Sequence, residues 1–395
     1  MNLTLPTLRD YQKEAVDFAL NHNPSMIVIP TGEGKTIIGL SIISELDILP
    51  TKSLVVAPTI EIVKQWGRMI RQFGGECTEV SSETGKQFSD LTIITYASML
   101  LNLDRIKDYS VIIFDEIHHL FAYEYQKILT ESLNNKVRIV GLTASPRTQG
   151  PEAELQDRKF PYSNRYVRTL AQRQHSDQAV SLVFREEKII LSNEEKETYG
   201  QLWDKYVKSI QRYGGFREMM DASQWHGPST DNEGMISYQK IKKMLSEHPG
   251  KMKKTIDIVR SSDGNFIIFT DTIRMVEIIH KILTKEGIPS VKIHSKSRGK
   301  KQTRNERDRI ISDLKEGKAR VLIGCTAIEE GLDLPDMDNA IFLSNISSST
   351  RKVIQRAGRT MRAKPGKFVT IHVIYAEGTK EQDNLASIKR ILGVD

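Results

Sequence analysis

A chain of 395 residues is long enough for two or three domains, each with its own core. Its 39% hydrophobic and 27% charged residues exclude a disordered or fibrous class. No apolar run approaches the roughly twenty residues that span a bilayer, and the polar start Met1-Asn2-Leu3-Thr4 lacks signal-peptide character, so no membrane contact and a cytoplasmic location are expected. Two cysteines, Cys77 and Cys325, make neither a disulfide framework nor a metal site. The net charge of +7 suits a polyanionic partner such as nucleic acid, although a basic balance taken alone is more often just a solvated surface.

The first element begins at Leu8-Arg-Asp-Tyr-Gln12, a helix with Ala15, Val16, Ala19 and Leu20 on one face. The amide of Gln12 has the donor and acceptor needed to pair with the edge of an adenine, or it is a solvated helix-face residue. An apolar run, Met26 to Ile29, then feeds Pro30-Thr-Gly-Glu-Gly-Lys-Thr36, and a helix pattern follows through Ile37, Ile38, Leu40, Ile42 and Ile43. Strand, glycine loop, Lys-Thr and helix make a phosphate-binding loop. Thr31, Gly32 and Gly34 let backbone N–H groups approach a polyphosphate, Lys35 reaches its terminal phosphates, and Thr36 is a Mg²⁺ ligand. Ile29 stands where the usual first glycine would be.

Four short apolar runs follow: Leu54 to Ala57, Leu91 to Ile94, Val111 to Phe114 and Arg138 to Leu142. Runs this short, apolar on both faces and separated by helical patterns, predict a doubly wound parallel sheet with ligands at the carboxyl ends of its strands. Asp115-Glu-Ile-His-His119 leaves the third of these runs. Acidic groups emerging from a buried strand need a cation or a hydrogen-bond network, and a Mg²⁺ on the phosphate loop meets that need, with Asp115 the candidate to position it and Glu116 to polarise the attacking water. Thr143-Ala-Ser145 ends the last run.

Beyond Pro146 the pattern loosens to about Arg185. Helical signals return with the capping-box pattern Ser192-Asn-Glu-Glu195 and with Tyr199, Leu202, Trp203, Tyr206, Val207 and Ile210. Phe216, Met219, Met220 and Trp225 read better as a small helical core than as a stacking surface. After Pro249 a second α/β pattern begins, with runs at Asn265 to Thr270, Val291 to Ile293, Arg320 to Gly324, Asn339 to Leu343 and Phe368 to Val373, and no second Gly-Lys-Thr. The basic run from Lys296 to Arg309 either contacts phosphates or keeps a loop soluble. Arg356, Arg359 and Arg362 recur every three residues along much of one helix face; they are either a solvated basic face or a source of an arginine finger for phosphoryl transfer.

In their order these motifs resemble the superfamily 2 helicases. Arg9 and Gln12 match the adenine-reading motif, Pro30 to Thr36 the phosphate loop, Ala57-Pro-Thr59 with Gln65-Trp66 a backbone-contacting motif, Asp115 to His119 the DExH box, and Thr143 to Ser145 the coupling motif. Ile267 to Thr270 match the start of the second domain, and Thr326, Gly331-Leu-Asp333 and Gln355 to Arg362 the last two motifs. Within that superfamily the chain is most similar to the XPB-like branch, particularly its compact archaeal members, although Pro146-Arg-Thr-Gln149 stands where that branch carries Arg-Glu-Asp. The resemblance implies two RecA-like parallel-sheet domains in tandem, over 1–185 and 251–395, with a helical, thumb-like insertion over 186–250. It implies an ATP-driven, Mg²⁺-dependent DNA helicase or translocase moving 3′ to 5′, nucleoid-associated, with a nuclease or other protein as a further expected partner. An RNA helicase, a nucleotide-gated duplex clamp and a motor subunit of a nuclease assembly are the alternatives. Gly331, Asp333 and Gln355 then touch nucleotide, Arg359 and Arg362 reach the γ-phosphate, Thr59, Thr95 and Thr326 lie near the nucleic-acid backbone, and Thr143 and Ser145 couple the two.

Overall fold

Segments that are apolar on both faces become strands covered on both faces, and this decides the architecture. The computed structural model describes residues 3–46, 52–84, 87–147, 151–169, 172, 181–215, 219, 233–294, 302–325, 334–343 and 368–394. The chain divides into two compact units, the first built on Met1–Val180 and the second on Ser181–Ser349 with Phe368–Arg390. No helix among the described residues is long and apolar enough to cross a membrane.

In the first unit β1 (Ser25–Val28), β2 (Ser53–Ala57), β3 (Thr78–Val80), β4 (Leu91–Thr95), β5 (Val111–Asp115), β6 (Arg138–Thr143) and β7 (Arg165–Val167) form one parallel sheet in the order β3-β4-β2-β5-β6-β1-β7. Five of these strands are the apolar runs expected from sequence. The two edge strands β3 and β7 are only three residues long and partly exposed, too short for the pattern to announce. Helix α1 (Asp10–Asn21) precedes β1, and helices α2 (Lys35–Leu46), α3 (Ile60–Gln72), α4 (Tyr96–Leu100), α5 (Gln126–Asn134) and α6 (Pro151–Lys159) lie between successive strands. One face of the sheet packs with Ile38, Ile42, Trp66 and Ile70, and the other with Tyr96, Met99, Phe121 and Ile128. Burial of each such large side chain contributes about 1.5–3 kcal/mol.

The second unit holds β8 (Ser181–Ile189), β9 (Phe266–Phe269), β10 (Ser290–Ile293), β11 (Val321–Gly324), β12 (Asn339–Phe342) and β13 (Phe368–Ala376), parallel in the order β10-β11-β9-β12-β13-β8. The boundary expected at residue 185 falls inside β8. Residues 181–185 pair with β13 and belong to the second sheet, because an unpaired edge on β13 is covered by the strand entering the unit. The expected insertion supplies α7 (Asn193–Tyr213), capped by Ser192 with Glu195 in the anticipated box, and α8 (Glu233–Ser246). These helices are not a separate body: Tyr199, Ile241 and Leu245 share one core with Ile268, Val321 and Ile341 of the second sheet. Met219 is buried; Phe216, Met220 and Trp225 lie outside the described residues. Helices α9 (Pro249–Ser261), α10 (Ile273–Lys285), α11 (Arg304–Lys315) and α12 (Lys380–Leu392) complete the described elements.

Lys251 and Glu381 form an ion pair with no exposed side-chain surface. The lysine Nζ lies 2.7 Å from both carboxylate oxygens and donates to the Leu343 carbonyl at 2.8 Å, which ties α9, the end of β12 and the start of α12 together.

Candidate active site

Three adjacent strands of the first sheet deliver the site. Strand β6 lies between β5 and β1, with Val28 beside Thr143 and Asp115 beside Leu142, so the phosphate loop, the acidic pair and Thr143 leave the same carboxyl edge. Ile29 is fully buried, and its N–H donates to the Thr143 carbonyl at 3.0 Å. An apolar residue therefore prolongs the β1–β6 pairing where a first glycine would otherwise stand.

Gly32 and Gly34 sit at φ 86° and 82°, a region that a side chain resists. A Cβ on Gly34 would lie 2.5 Å from Gln12 Nε2. That amide donates to the Glu33 carbonyl at 3.0 Å, Tyr11 donates to the same carbonyl at 2.8 Å, and Gln12 Oε1 accepts the Arg9 N–H at 3.0 Å. Arg168 stacks on the Tyr11 ring at 4.2 Å and approaches the buried Glu33 carboxylate at 3.7 Å. Of the predicted adenine-reading residues, Gln12 is braced against the loop backbone, and Arg9 meets Gln12 and the Tyr11 hydroxyl.

Lys35 opens α2 and meets Glu116 at 2.8 Å, 81 positions away in sequence. Glu116 has left-handed backbone angles, φ 48° and ψ 55°, uncommon for a residue with a side chain. Such strain persists where the surroundings over-determine it. Here they do: the Thr143 hydroxyl donates to the second Glu116 oxygen at 3.3 Å, and His118 Nδ1 lies 3.0 Å from that hydroxyl and 3.4 Å from the same carboxylate. With its proton directed at Glu116, the hydroxyl accepts from His118 Nδ1 and from the Ser145 N–H at 3.1 Å. The network continues through Arg147, whose Nε donates to the His118 carbonyl at 3.2 Å and whose backbone exchanges two hydrogen bonds with the buried Gln156 amide.

Asp115 is 7% exposed. Its Oδ2 accepts the Trp66 indole N–H at 2.8 Å, its Oδ1 accepts the Glu116 N–H at 3.0 Å, and its backbone carbonyl accepts the Tyr96 hydroxyl at 3.1 Å. Burial, followed by the neighbouring Glu116 charge, pushes its carboxyl up from 3.8 to about 6, against the pull of Lys35 and the Trp66 hydrogen bond. A buried carboxylate under this penalty is suited to a cation. Thr36 follows Lys35 at the start of α2 and carries the hydroxyl expected from sequence as the second oxygen donor for a hard divalent ion. Among the described residues no group of three or more His, Cys, Asp or Glu is arranged around a metal position.

Not every expected site residue is placed together. Thr59 caps α3, accepting from the Ile62 N–H, and Thr95 caps α4, accepting from Ser98 N–H and donating to its hydroxyl. Trp66, expected in a backbone-contacting motif, turns inward and is fully buried. Its spacing with Ile62, Val63 and Ile70 was the signal that it lies on the apolar face of α3. Thr326, Gly331, Asp333, Gln355, Arg359 and Arg362 lie outside the described residues, as does Lys296 to Lys301 of the basic run.

Residues 5–148 match the family model described as type III restriction enzyme, res subunit, and residues 250–364 match the helicase conserved C-terminal domain. A relative from Sulfurisphaera tokodaii, DNA 3′-5′ translocase XPB2, is 27% identical over 95% of this chain and 82% of its own length. The putative DNA 3′-5′ helicase Rad25 of Halobacterium salinarum is 25% identical over 98% of this chain, which spans 57% of that relative. Among solved structures, the Hef helicase domain of Pyrococcus furiosus superposes with a TM-score of 0.63 at 20% identity, covering 96% of this chain and 98% of that one.

Proposed function

The chain belongs to the superfamily 2 helicases, in their XPB-like branch, and from that premise we propose that it is an ATP-driven motor that moves 3′ to 5′ along DNA. The observation that carries the reading is the Lys35–Glu116–Thr143 chain of contacts beside the buried Asp115, which joins a phosphate-binding cation, a water-polarising carboxylate and the start of the coupling motif. Gly32 and Gly34 shape the loop around the phosphates, and Lys35 turns from Glu116 to the terminal phosphate when nucleotide binds. Glu116, released from that ion pair and still held by Thr143, accepts a proton from the attacking water. Thr36 and Asp115 would hold the Mg²⁺, which would supply neutralisation of the phosphate charge. Arg359 and Arg362 are assigned to the γ-phosphate, and Gly331, Asp333 and Gln355 to nucleotide contact; these roles rest on the resemblance alone. Thr59, Thr95 and Thr326 are assigned to the nucleic-acid backbone on the same ground.

The preference for DNA over RNA rests on similarity to the two archaeal relatives over nearly the whole chain. The test is ATPase activity with single-stranded DNA, duplex DNA or RNA, followed by triplex displacement and strand displacement to separate translocation from unwinding. Stimulation by DNA, abolished in Lys35→Ala and Glu116→Gln, is expected. Equal or greater stimulation by RNA overturns the DNA assignment, and full activity in either folded variant overturns that residue's role.

A further inference from the structure

Two helices of the first unit begin at threonines assigned above to the nucleic-acid backbone, and each supplies one aromatic residue hydrogen-bonded to Asp115. From Thr59, α3 runs inward for two turns to Trp66, whose indole N–H meets Asp115 Oδ2 at 2.8 Å. From Thr95, α4 starts with Tyr96, whose hydroxyl meets the Asp115 backbone carbonyl at 3.1 Å. Both aromatic side chains are buried to within 1% of completely. Trp66 also bears on the helix that follows the phosphate loop: a Cβ on Gly39 of α2 would lie 2.5 Å from Trp66 Cη2 and 3.2 Å from Leu142 Cδ1. No slack exists on that side, so a shift of α3 must move the indole, and with it a carboxylate whose other oxygen is fixed by the Glu116 N–H.

We propose that Trp66 and Tyr96 are positioning residues that carry the placement of α3 and α4 on nucleic acid to the Asp115 carboxylate, setting how well it holds the nucleotide's metal. The inference rests on the functional reading above for its nucleic-acid end. Its other end is a statement about Asp115 alone. Trp66 donates a hydrogen bond that neither leucine nor phenylalanine can supply, which explains a polar aromatic at a fully buried position of an apolar helix face.

The test uses Trp66→Phe and Tyr96→Phe in the full chain; Tyr96→Phe keeps the ring and deletes only the hydroxyl donor, whereas Trp66→Phe removes the N–H donor along with part of the ring system. Binding of a fluorescent ADP analogue is titrated with Mg²⁺, and DNA affinity is measured by anisotropy in parallel with DNA-stimulated ATPase. The Mg²⁺ concentration for half-maximal analogue binding is expected to rise roughly three- to tenfold, while binding of the analogue in EDTA is unchanged. The ratio of DNA-stimulated to basal ATPase should fall at least fivefold at unchanged DNA affinity. An unchanged Mg²⁺ dependence in both variants overturns the positioning role. A wild-type ATPase indifferent to DNA overturns the functional reading instead, and leaves the Mg²⁺ titration to decide the role of the two aromatics. Should Trp66→Phe fail to fold, Trp66 is observed directly in a Trp203→Phe/Trp225→Phe chain. Its emission is expected to change on adding Mg²⁺ with ADP and to stay constant with ADP in EDTA; identical emission in the two overturns the proposal.

Discussion

Replacing Lys251 by methionine tests how the second unit is held together. The side chain has no exposed surface, and its ammonium makes contacts at 2.7 Å to each Glu381 oxygen and at 2.8 Å to the Leu343 carbonyl. Methionine fills most of the volume and removes the charge. Glu381 keeps the Ala376 N–H at 3.0 Å but loses the Lys251 ammonium while staying buried, and the Leu343 carbonyl loses this donor. Breaking one side of such a pair costs about 3–5 kcal/mol. Hydrogen exchange in peptides from β12 and β13 reads the opening of this unit separately from the other. At a factor of ten per roughly 1.4 kcal/mol, their slowest amides should exchange about two to three and a half orders of magnitude faster. Glu381→Met should do comparable damage. Lys251→Met/Glu381→Met should recover most of the loss, because the cost lies in the charge left buried and not in the missing attraction. A single variant within about 1 kcal/mol of wild type, or a double variant as damaged as the sum of the two, would refute that account.

Thr143→Val keeps the shape at a fully buried position and deletes the hydroxyl shared by Glu116, His118 and the Ser145 N–H. The ATPase kcat is expected to fall roughly 10- to 100-fold, as loss of about 1.5–3 kcal/mol of hydrogen bonding to a charged group implies, with nucleotide affinity retained. Gly34→Ala places a methyl group 2.5 Å from Gln12 Nε2 at φ +82°, so nucleotide affinity measured by titration should drop about tenfold, given roughly 1–2 kcal/mol of left-handed strain. Burial depresses the His280, His294 and His372 imidazoles below their ordinary 6.5. Their protons are then bound more readily in the unfolded chain, so stability of the second unit should fall as the pH drops below 6.5 and level off once the folded state also titrates. Exchange rates in β10 and β13 that stay flat between pH 7.5 and 5.5, after correction for intrinsic chemistry, contradict this.

Much of the nucleotide site was legible because it is local. The run Met26 to Ile29, the glycines and Lys35-Thr36 lie within one strand–loop–helix unit, and each residue's conformational need shows in its type: positive φ at Gly32 and Gly34, burial at Ile29. The DExH stretch was legible for a different reason, since acids at the end of an apolar run are costly without a cation. The short edge strands β3 and β7 were missed because three residues, most of them partly exposed, carry almost no periodicity.

By itself, then, the amino-acid sequence determined most of the core strands and where the phosphate loop lies, and it named the side chains expected to carry the chemistry, because these follow from periodicity and residue type over a few neighbouring positions. Only the tertiary structure decided which of those side chains meet. Lys35 reaches Glu116 and Trp66 reaches Asp115 because β5, β6 and β1 are neighbours in the sheet and α3 packs against α2. Residues 181–185 join the second unit because β13 offers them an edge. Pairings of this kind depend on strand order and on the faces helices present to one another. Those are properties of the packed core, spread over contacts between residues far apart along the chain.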